Sequence, residues 1–196
     1  MKRTYTKQLE NNFFHRPTED VARALLGKVL VHQGTAGVTA GRIVEVEAYL
    51  YRNDAACHAA RKQTIRNRPM FGPPGTAYVY LIYGLHYCFN VVTGLEGEGE
   101  AVLVRALEPL AGLNIMAERR GTAVTKKMAA GPGNLCRALA ITKAHNGHNL
   151  NRPPLYLADD DFVVSELVTT TRVGINVATD LPLRFYIANN PFISRK

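Results

Sequence analysis

The chain has 196 residues, of which 46% are hydrophobic and 20% charged. This composition excludes a low-complexity or disordered protein and suits one domain with a sizeable buried core. The 24 lysines and arginines outnumber the 16 acids and give a net charge of +8. Such an excess favours a polyanionic partner, because basic side chains that meet phosphates release counterions. A merely basic protein without such a partner is equally consistent with the charge.

The predicted elements begin with a loosely held polar segment over residues 1–12 and a helix from Pro17 to about Leu26. Thr18 is predicted to cap this helix and Gly27 to end it. In chain order, the later predictions are strands at 28–32 and 42–50, a loop at 52–75, a hairpin with strands at 76–82 and 87–93, a strand at 101–107, helices from Pro109 to about Gly121 and from Gly131, and strands around 172–177 and 183–187.

Strands dominate the first half of this order, and the helices fall between them irregularly. This arrangement predicts an α+β fold in a single domain spanning residues 1–196, with a mixed, mostly antiparallel sheet and surrounding helices. The turn of the hairpin, Tyr83-Gly84-Leu85-His86, predicts a protruding tip that carries a tyrosine.

Three well-separated cysteines, Cys57, Cys88 and Cys136, form no Cys-x-x-Cys pair. An odd and sparse set predicts reduced thiols rather than a disulfide framework. No apolar stretch reaches the length of a membrane span, and none of signal-peptide length follows the basic residues 1–3. We therefore expect a cytoplasmic protein without a membrane partner.

The predicted strand at 42–50 alternates with a period of two. The alternation places Val44, Val46, Ala48 and Leu50 toward the core, and Ile43, Glu45, Glu47 and Tyr49 on the opposite face. Glu47, Tyr49 and the nearby His58 can form a small polar pocket with aromatic walls. A carboxylate held there can take a proton from water and direct the water at an electrophilic carbon. The simpler interpretation is a strand glutamate that points to solvent.

Six of the nine tyrosines lie between positions 49 and 87. Tyr78 and Tyr80 share one face of their strand, whereas Tyr83 lies in the turn. A tyrosine in a turn can fold back or contact a second copy of the chain. It can also act as a wedge that fills the gap left by an extruded nucleotide. Tyr49 and Tyr80 can stack on the extruded base.

Two polar residues lie in apolar strands. Asn90 is either a hydrogen-bonded core asparagine or a group that reads base edges. Arg105 is costly to bury without a partner, so it pairs with a carboxylate or contacts a phosphate. The predicted loop at 52–75 carries a basic run, Arg61, Lys62, Arg66 and Arg68, with no acid between them. This run is predicted to face DNA, with a solvated loop as the alternative.

Long, ordered motifs run through nearly the whole chain from about Phe13. They are GRIVEVEAYL at 41–50, DAACH at 54–58, QTIRNRPMF at 63–71, PGTAYVYLIYG at 74–84, VRALEP at 104–109, GPG at 131–133 and PLRFYI at 182–187. Together with Asn90, Leu135 and Cys136, these motifs closely resemble the 3-methyladenine (alkyladenine) DNA glycosylases of the mammalian type.

The resemblance implies a monofunctional enzyme, monomeric, that flips alkylated or deaminated purines out of double-stranded DNA and hydrolyses the N-glycosidic bond. Substrates of this class are 3-methyladenine, 7-methylguanine, hypoxanthine and ethenoadenine. It also implies that no metal, cofactor or obligate protein partner is needed. The family roles fall on these positions: Glu47 as the general base, Arg105 beside the catalytic water, Tyr49, His58 and Tyr80 as pocket walls, Asn90 as the residue that disfavours guanine, and Tyr83 as the intercalating wedge.

Two other functions remain open at this stage. A non-catalytic module that binds nucleic acid by aromatic stacking explains the tyrosines and the charge but gives Glu47 no role. A metal hydrolase using His145 and His148 is the second alternative, although no third ligand lies near them in the sequence.

Overall fold

The structure is a computed structural model that describes residues 5–60 and 62–195. Its strands are β1 Val29–Gly34, β2 Gly37–Tyr49, β3 Ala77–Ile82, β4 His86–Thr93, β5 Glu100–Ala111, β6 Leu155–Ala158, β7 Leu167–Thr170 and β8 Arg184–Ile187. Its α-helices are α1 Thr18–Leu25, α2 Leu113–Arg120, α3 Thr125–Met128 and α4 Pro132–Leu139. Short 3-10 helices cover Asn11–Phe13, Arg68–Phe71 and Lys143–His145.

The strands form one sheet in the order β3-β4-β5-β2-β1-β6, with β8 added to β2 and β7 added to β8. Each of the strand pairings in the described residues is antiparallel. The first half of β2 pairs with β1, and its second half, at Glu45–Glu47, pairs with β8. The predicted α+β class and antiparallel sheet are therefore confirmed.

Strand β2 is buried from Thr39 to Ala48 because it is paired on both edges and covered on both faces. Val44, Val46 and Ala48 belong to the main core, as the alternation predicts. Ile43 was predicted to share the face of Glu47, but it also lies in the main core. The reason is a bulge between Ile43 and Glu45 opposite β5, since an extra residue in one strand shifts the alternation.

Helix α1 matches its predicted span within one residue and buries Val21, Ala22 and Leu25. The prediction that Thr18 caps it is wrong. Pro17 occupies the cap position without a side-chain hydrogen bond, and Thr18 is the first helical residue. The Thr18 hydroxyl instead lies within hydrogen-bonding distance of the Thr93 hydroxyl and the Glu100 carboxylate. None of the helices in the described part of the chain is long and apolar enough to span a membrane.

The helix predicted from Pro109 begins later. Pro109 remains in β5, opposite Gly41, where the register between β2 and β5 shifts. A proline can sit in a strand at such an irregularity because no ladder hydrogen bond from its nitrogen is needed. Helix α2 starts only at Leu113 and ends at Arg120. The next residue, Gly121, has a φ of 65°, the left-handed conformation that glycine adopts without strain.

The C-terminal third differs most from the prediction. Residues 172–177 form no strand; the strand that pairs with β8 is β7, a few residues earlier. Strand β6, which the sequence did not predict, extends the sheet beyond β1. From Tyr5 onward, the N-terminal segment is also packed against the domain more closely than predicted. Gln8 forms an isolated antiparallel β-bridge with Ala158, and Leu9 is buried.

Candidate active site

One cavity of about 340 Å³ lies where the β3–β4 hairpin, β5 and the start of α4 meet the loop after β2. Its volume is at the lower end of the range of small-molecule sites, about 300–1,000 Å³. Six of the seven residues to which the family resemblance assigns a role line it, all except Glu47. The described lining residues are Tyr49, Ala56, His58, Met70, Tyr78, Tyr80, Ile82, Tyr83, His86, Cys88, Asn90, Leu103, Arg105, Pro132, Gly133, Val173, Gly174 and Ile175.

Glu47 lies directly behind this wall, without solvent exposure. Its Oε1 accepts a hydrogen bond from the Val173 amide at 2.7 Å and lies 3.2 Å from Nη1 of Arg105. Its Oε2 accepts a hydrogen bond from the Tyr49 hydroxyl at 2.9 Å. Three neighbours that line the cavity thus hold the carboxylate in one orientation. The solvent-facing interpretation of Glu47 is excluded by its burial.

Arg105 lies between two buried carboxylates. Its Nε donates to Glu45 Oε1 at 3.0 Å, and its Nη1 forms the ion pair with Glu47. Burial by itself would lower the pKa of Arg105, but the carboxylates of Glu47 and Glu45 outweigh burial and raise it. Arg184 also lies 3.5 Å from Glu45. The cluster therefore contains two carboxylates and two guanidinium groups, and Arg105 pairs with carboxylates as one of its two sequence-based interpretations proposed.

Tyr49 extends from the end of β2 into the cavity wall. Burial, reinforced by the Glu47 carboxylate, raises the pKa of Tyr49. The hydroxyl therefore remains protonated and donates to Glu47. The guanidinium of Arg172 lies over the Tyr49 ring, with Cζ 4.6 Å from the ring centroid.

His58, Tyr78 and Tyr80 form an aromatic wall. The His58 ring lies 4.7 Å from that of Tyr80, edge to face, and its Nδ1 is 3.0 Å from the Tyr78 hydroxyl. Desolvation of the imidazole, together with the charge of Arg66, lowers the pKa of His58. Tyr78 and Tyr80 share a face as predicted, with ring centroids 5.2 Å apart.

Asn90 and Cys88 follow one another on the same face of β4 and line the cavity. The Asn90 side-chain amide donates to the carbonyl of Tyr78, its partner across the hairpin, at 3.0 Å. This bond fixes the amide in the cavity wall. Burial raises the pKa of the Cys88 thiol. All three cysteines are free and buried.

Tyr83 lies at the rim of the cavity, in the turn between β3 and β4, and 83% of its surface is exposed. Leu85, in the same turn, is 78% exposed. The φ angle of Tyr83 is 53°, a left-handed conformation that a bulky residue rarely adopts. A large aromatic side chain with almost no packing partners is therefore presented to solvent next to the cavity mouth.

The basic loop before β3 lies beside this wall. Arg66 donates to the carbonyl of Leu81 at 2.8 Å and lies over the Tyr80 ring, 5.4 Å from its centroid. Arg68 is exposed at the start of a 3-10 helix. Arg61 lies outside the described residues. Buried Asn67 holds the loop together, because its side-chain amide donates to the carbonyls of His58 and Lys62 at 2.8 and 3.0 Å.

Four residues that shape the site were not singled out as functional from the sequence: Glu45, Asp54, Arg172 and Val173. The alternation had already put Glu45 on the face of Glu47, so a signal for it existed. Arg172 pairs with Asp54 across 118 residues, and no local pattern indicates that contact.

His145 and His148 are engaged in other contacts. Nδ1 of His145 accepts from the Thr142 amide at 3.1 Å, and its Nε2 lies 3.2 Å from Nε2 of His32. Nε2 of His148 lies 2.9 Å from the Arg152 carbonyl. Within residues 5–60 and 62–195, no three His, Cys, Asp or Glu side chains are grouped as a metal site would require. The described residues therefore contain no set of ligands that would support the interpretation as a metal hydrolase.

Comparison with known proteins gives a consistent result. The family described as methylpurine-DNA glycosylase (MPG) matches residues 12–191. A protein of Methanoculleus marisnigri is 55% identical over 188 residues, covering 94% of this chain and 97% of its own. A protein of Carboxydothermus hydrogenoformans is 48% identical, covering 96% and 99%. Both are provisionally named 3-methyladenine DNA glycosylases. The chain therefore belongs to the methylpurine-DNA glycosylase family, as its sequence motifs predict.

Proposed function

We propose that this protein is a monofunctional DNA glycosylase that removes alkylated or deaminated purines from duplex DNA. It acts in the cytoplasm, on the chromosome, and its product is an abasic site that initiates base excision repair. The observation that carries the proposal is a buried carboxylate, Glu47, held by Arg105, Tyr49 and Val173 directly behind an aromatic cavity.

In the proposed reaction, Glu47 is the general base. Its Oε2 accepts one described hydrogen bond, from Tyr49, and a carboxylate oxygen can accept a second, from water. The water oxygen bonds to C1′ of the deoxyribose while Glu47 takes a proton from it. The bond between C1′ and the base nitrogen breaks, and its electron pair leaves with the base. The carboxylate also stabilises the positive charge that develops on the sugar.

The aromatic wall supports binding of an extruded purine. Each base stacked on an aromatic ring contributes roughly 1–3 kcal/mol. Purines alkylated at N3 or N7 are cationic and are already good leaving groups. The faces of Tyr49 and Tyr80 favour such a cation by about 0.5–2 kcal/mol. Hypoxanthine is uncharged and gains less, so it depends on protonation of, or a hydrogen bond to, a base nitrogen.

Extrusion of the base is assigned to the hairpin turn. Tyr83 is the wedge that enters the helix and fills the vacated position, since it is exposed beside the cavity mouth. Arg66, Arg68 and Arg61 contact the DNA backbone in this proposal. The net charge of +8 favours such contacts. Asn90 crowds the exocyclic amine of guanine and so disfavours the undamaged base.

We expect no strand cleavage, because the proposed nucleophile is water. A glycosylase that also nicks DNA attacks C1′ with an amine and forms a Schiff base. No lysine occurs among the cavity-lining residues of the described chain, which supports water as the nucleophile. Borohydride treatment during turnover should therefore trap no protein–DNA crosslink, and a crosslink would contradict this part of the proposal.

The decisive experiment compares the wild type with Glu47→Gln on methylated duplex DNA. We expect wild-type release of 3-methyladenine and a rate at least about 10²-fold lower in the variant, because general bases contribute about 10²–10⁴-fold. Binding to the DNA should persist. Glu108→Gln, which changes another strand glutamate outside the cavity, is the matched control and should keep the wild-type rate.

The remaining outcomes each contradict a part of the proposal. Tight binding without release by the wild type would favour the non-catalytic binding module. Release at equal rates by the wild type and Glu47→Gln would retain the glycosylase and exclude Glu47 as its base.

A further inference from the structure

One wall of the cavity is built from a segment without regular secondary structure. Residues 171–178, here called the strap, form the first part of the connection from β7 to β8 and contribute Val173, Gly174 and Ile175 to the cavity lining. Loop residues have higher conformational entropy than residues in strands, so a loop that forms part of a site must be fixed by its own contacts.

The strap is fixed mainly by Arg172. Its side chain has no solvent exposure and pairs with the equally buried Asp54 through two hydrogen bonds of 2.6 Å. The same guanidinium donates to the carbonyl of Ala48 at 3.0 Å. Asp54 in turn accepts from the backbone amides of Leu50 and Ala56 at 3.0 and 3.1 Å. The pair thus joins the strap to the end of β2 and to the loop that leads to His58.

The Arg172–Asp54 pair is connected to both residues that donate a hydrogen bond to Glu47, Val173 and Tyr49. The residue after Arg172 is Val173, whose amide donates to Glu47 Oε1. The guanidinium of Arg172 covers the ring of Tyr49, whose hydroxyl donates to Glu47 Oε2. The Val173 carbonyl also accepts from Nη1 of Arg105 at 3.4 Å. A displacement of Arg172 would therefore alter the contacts that the Glu47 carboxylate makes with Val173, Tyr49 and Arg105.

We propose that Arg172 and Asp54 are positioning residues that set the orientation of the general base Glu47. This inference rests on the proposed function. A buried ion pair adds little net stability compared with well-packed apolar residues, because desolvation offsets the attraction. Its geometry, however, fixes the distance and direction of the strap, and catalysis is sensitive to displacements of 1 Å.

The test is Arg172→Lys, which keeps the charge but loses the bidentate geometry. Arg42→Lys is a closely matched control. Arg42 also forms two hydrogen bonds to an aspartate, Asp160, at 2.8 Å, donates to the Gly27 carbonyl and lies over the Phe162 ring. Unlike the Tyr49 ring beneath Arg172, none of these three partners lines the cavity. Melting temperature, binding to methylated duplex DNA and single-turnover base release are measured for both variants and the wild type.

We expect Arg172→Lys to slow single-turnover release by on the order of 10²-fold while duplex binding changes little. Arg42→Lys should keep the wild-type rate and the wild-type binding.

Each other result contradicts the inference. A purely structural role would lower the melting temperature, the active fraction and duplex binding alike in both variants, without a separate loss in single-turnover rate. A wild-type rate in a folded Arg172→Lys would overturn the inference alone, whereas a wild type without base release would overturn the proposed function and this inference with it. Should Arg172→Lys not fold, Asp54→Asn is measured in its place, with the same expectations.

Discussion

Removal of Arg105 should destabilise the protein, because it leaves a buried carboxylate without its cation. Its guanidinium lies 3.0 Å from Glu45 and 3.2 Å from Glu47, and both glutamates are fully buried. In Arg105→Met the apolar stem is retained and the charge is lost. Glu45 keeps its ion pair with Arg184 at 3.5 Å, but Glu47 loses its ion pair with Arg105.

The expected loss of stability in Arg105→Met follows from the free-energy cost of a buried charge without a partner. Removing one partner of a buried ion pair destabilises a protein by about 3–5 kcal/mol. For a chain of 196 residues, 1 kcal/mol corresponds to roughly 2–4 °C in melting temperature, so we expect a decrease of roughly 6–20 °C. Adding Glu47→Gln to Arg105→Met should recover most of this loss, because the orphaned charge is then removed.

The assay is a double-mutant cycle of Arg105→Met, Glu47→Gln and the double variant, with urea and thermal unfolding at pH 7. Arg66→Met is the control, since it removes an exposed guanidinium and should change stability by no more than about 0.5 kcal/mol. Additive effects in the cycle, or an Arg105→Met variant as stable as the wild type, would refute the reasoning.

Two further predictions concern the hairpin turn and a pair of histidines. Tyr83→Ala should leave the melting temperature unchanged, because the side chain is 83% exposed. The same variant should slow base release from duplex DNA by about 5- to 150-fold, the equivalent of 1–3 kcal/mol of stacking. An unchanged single-turnover rate would exclude Tyr83 as the wedge. Burial lowers the pKa of both His32 and His145. As the pH falls below about 6.5, these two histidines therefore bind more protons in the unfolded chain than in the folded protein, and the free energy of unfolding should decrease. A urea midpoint that is equal at pH 7.5 and 5.0 would contradict this prediction.

Local patterns in the sequence predicted much of the fold and many of the cavity residues. A period of two along β2 and along the hairpin reflects the geometry of the strand itself. The alternation therefore placed Val44, Val46 and Ala48 in the core, Tyr78 and Tyr80 on one face, and Tyr83 in the turn. These features depend on residues a few positions apart and so can be predicted without knowledge of the fold.

Contacts between distant parts of the chain decided the rest. Pro109 stays in a strand because β2 extends the pairing of β5, and the strap is a loop because β7 rather than residues 172–177 pairs with β8. The burial of Glu47 and the partners of Arg172 arise only when segments more than 100 residues apart pack together. The sequence by itself determined which side chains this site has. The tertiary structure decided how they are oriented, because hydrogen bonds and ion pairs depend on distances that no local pattern encodes.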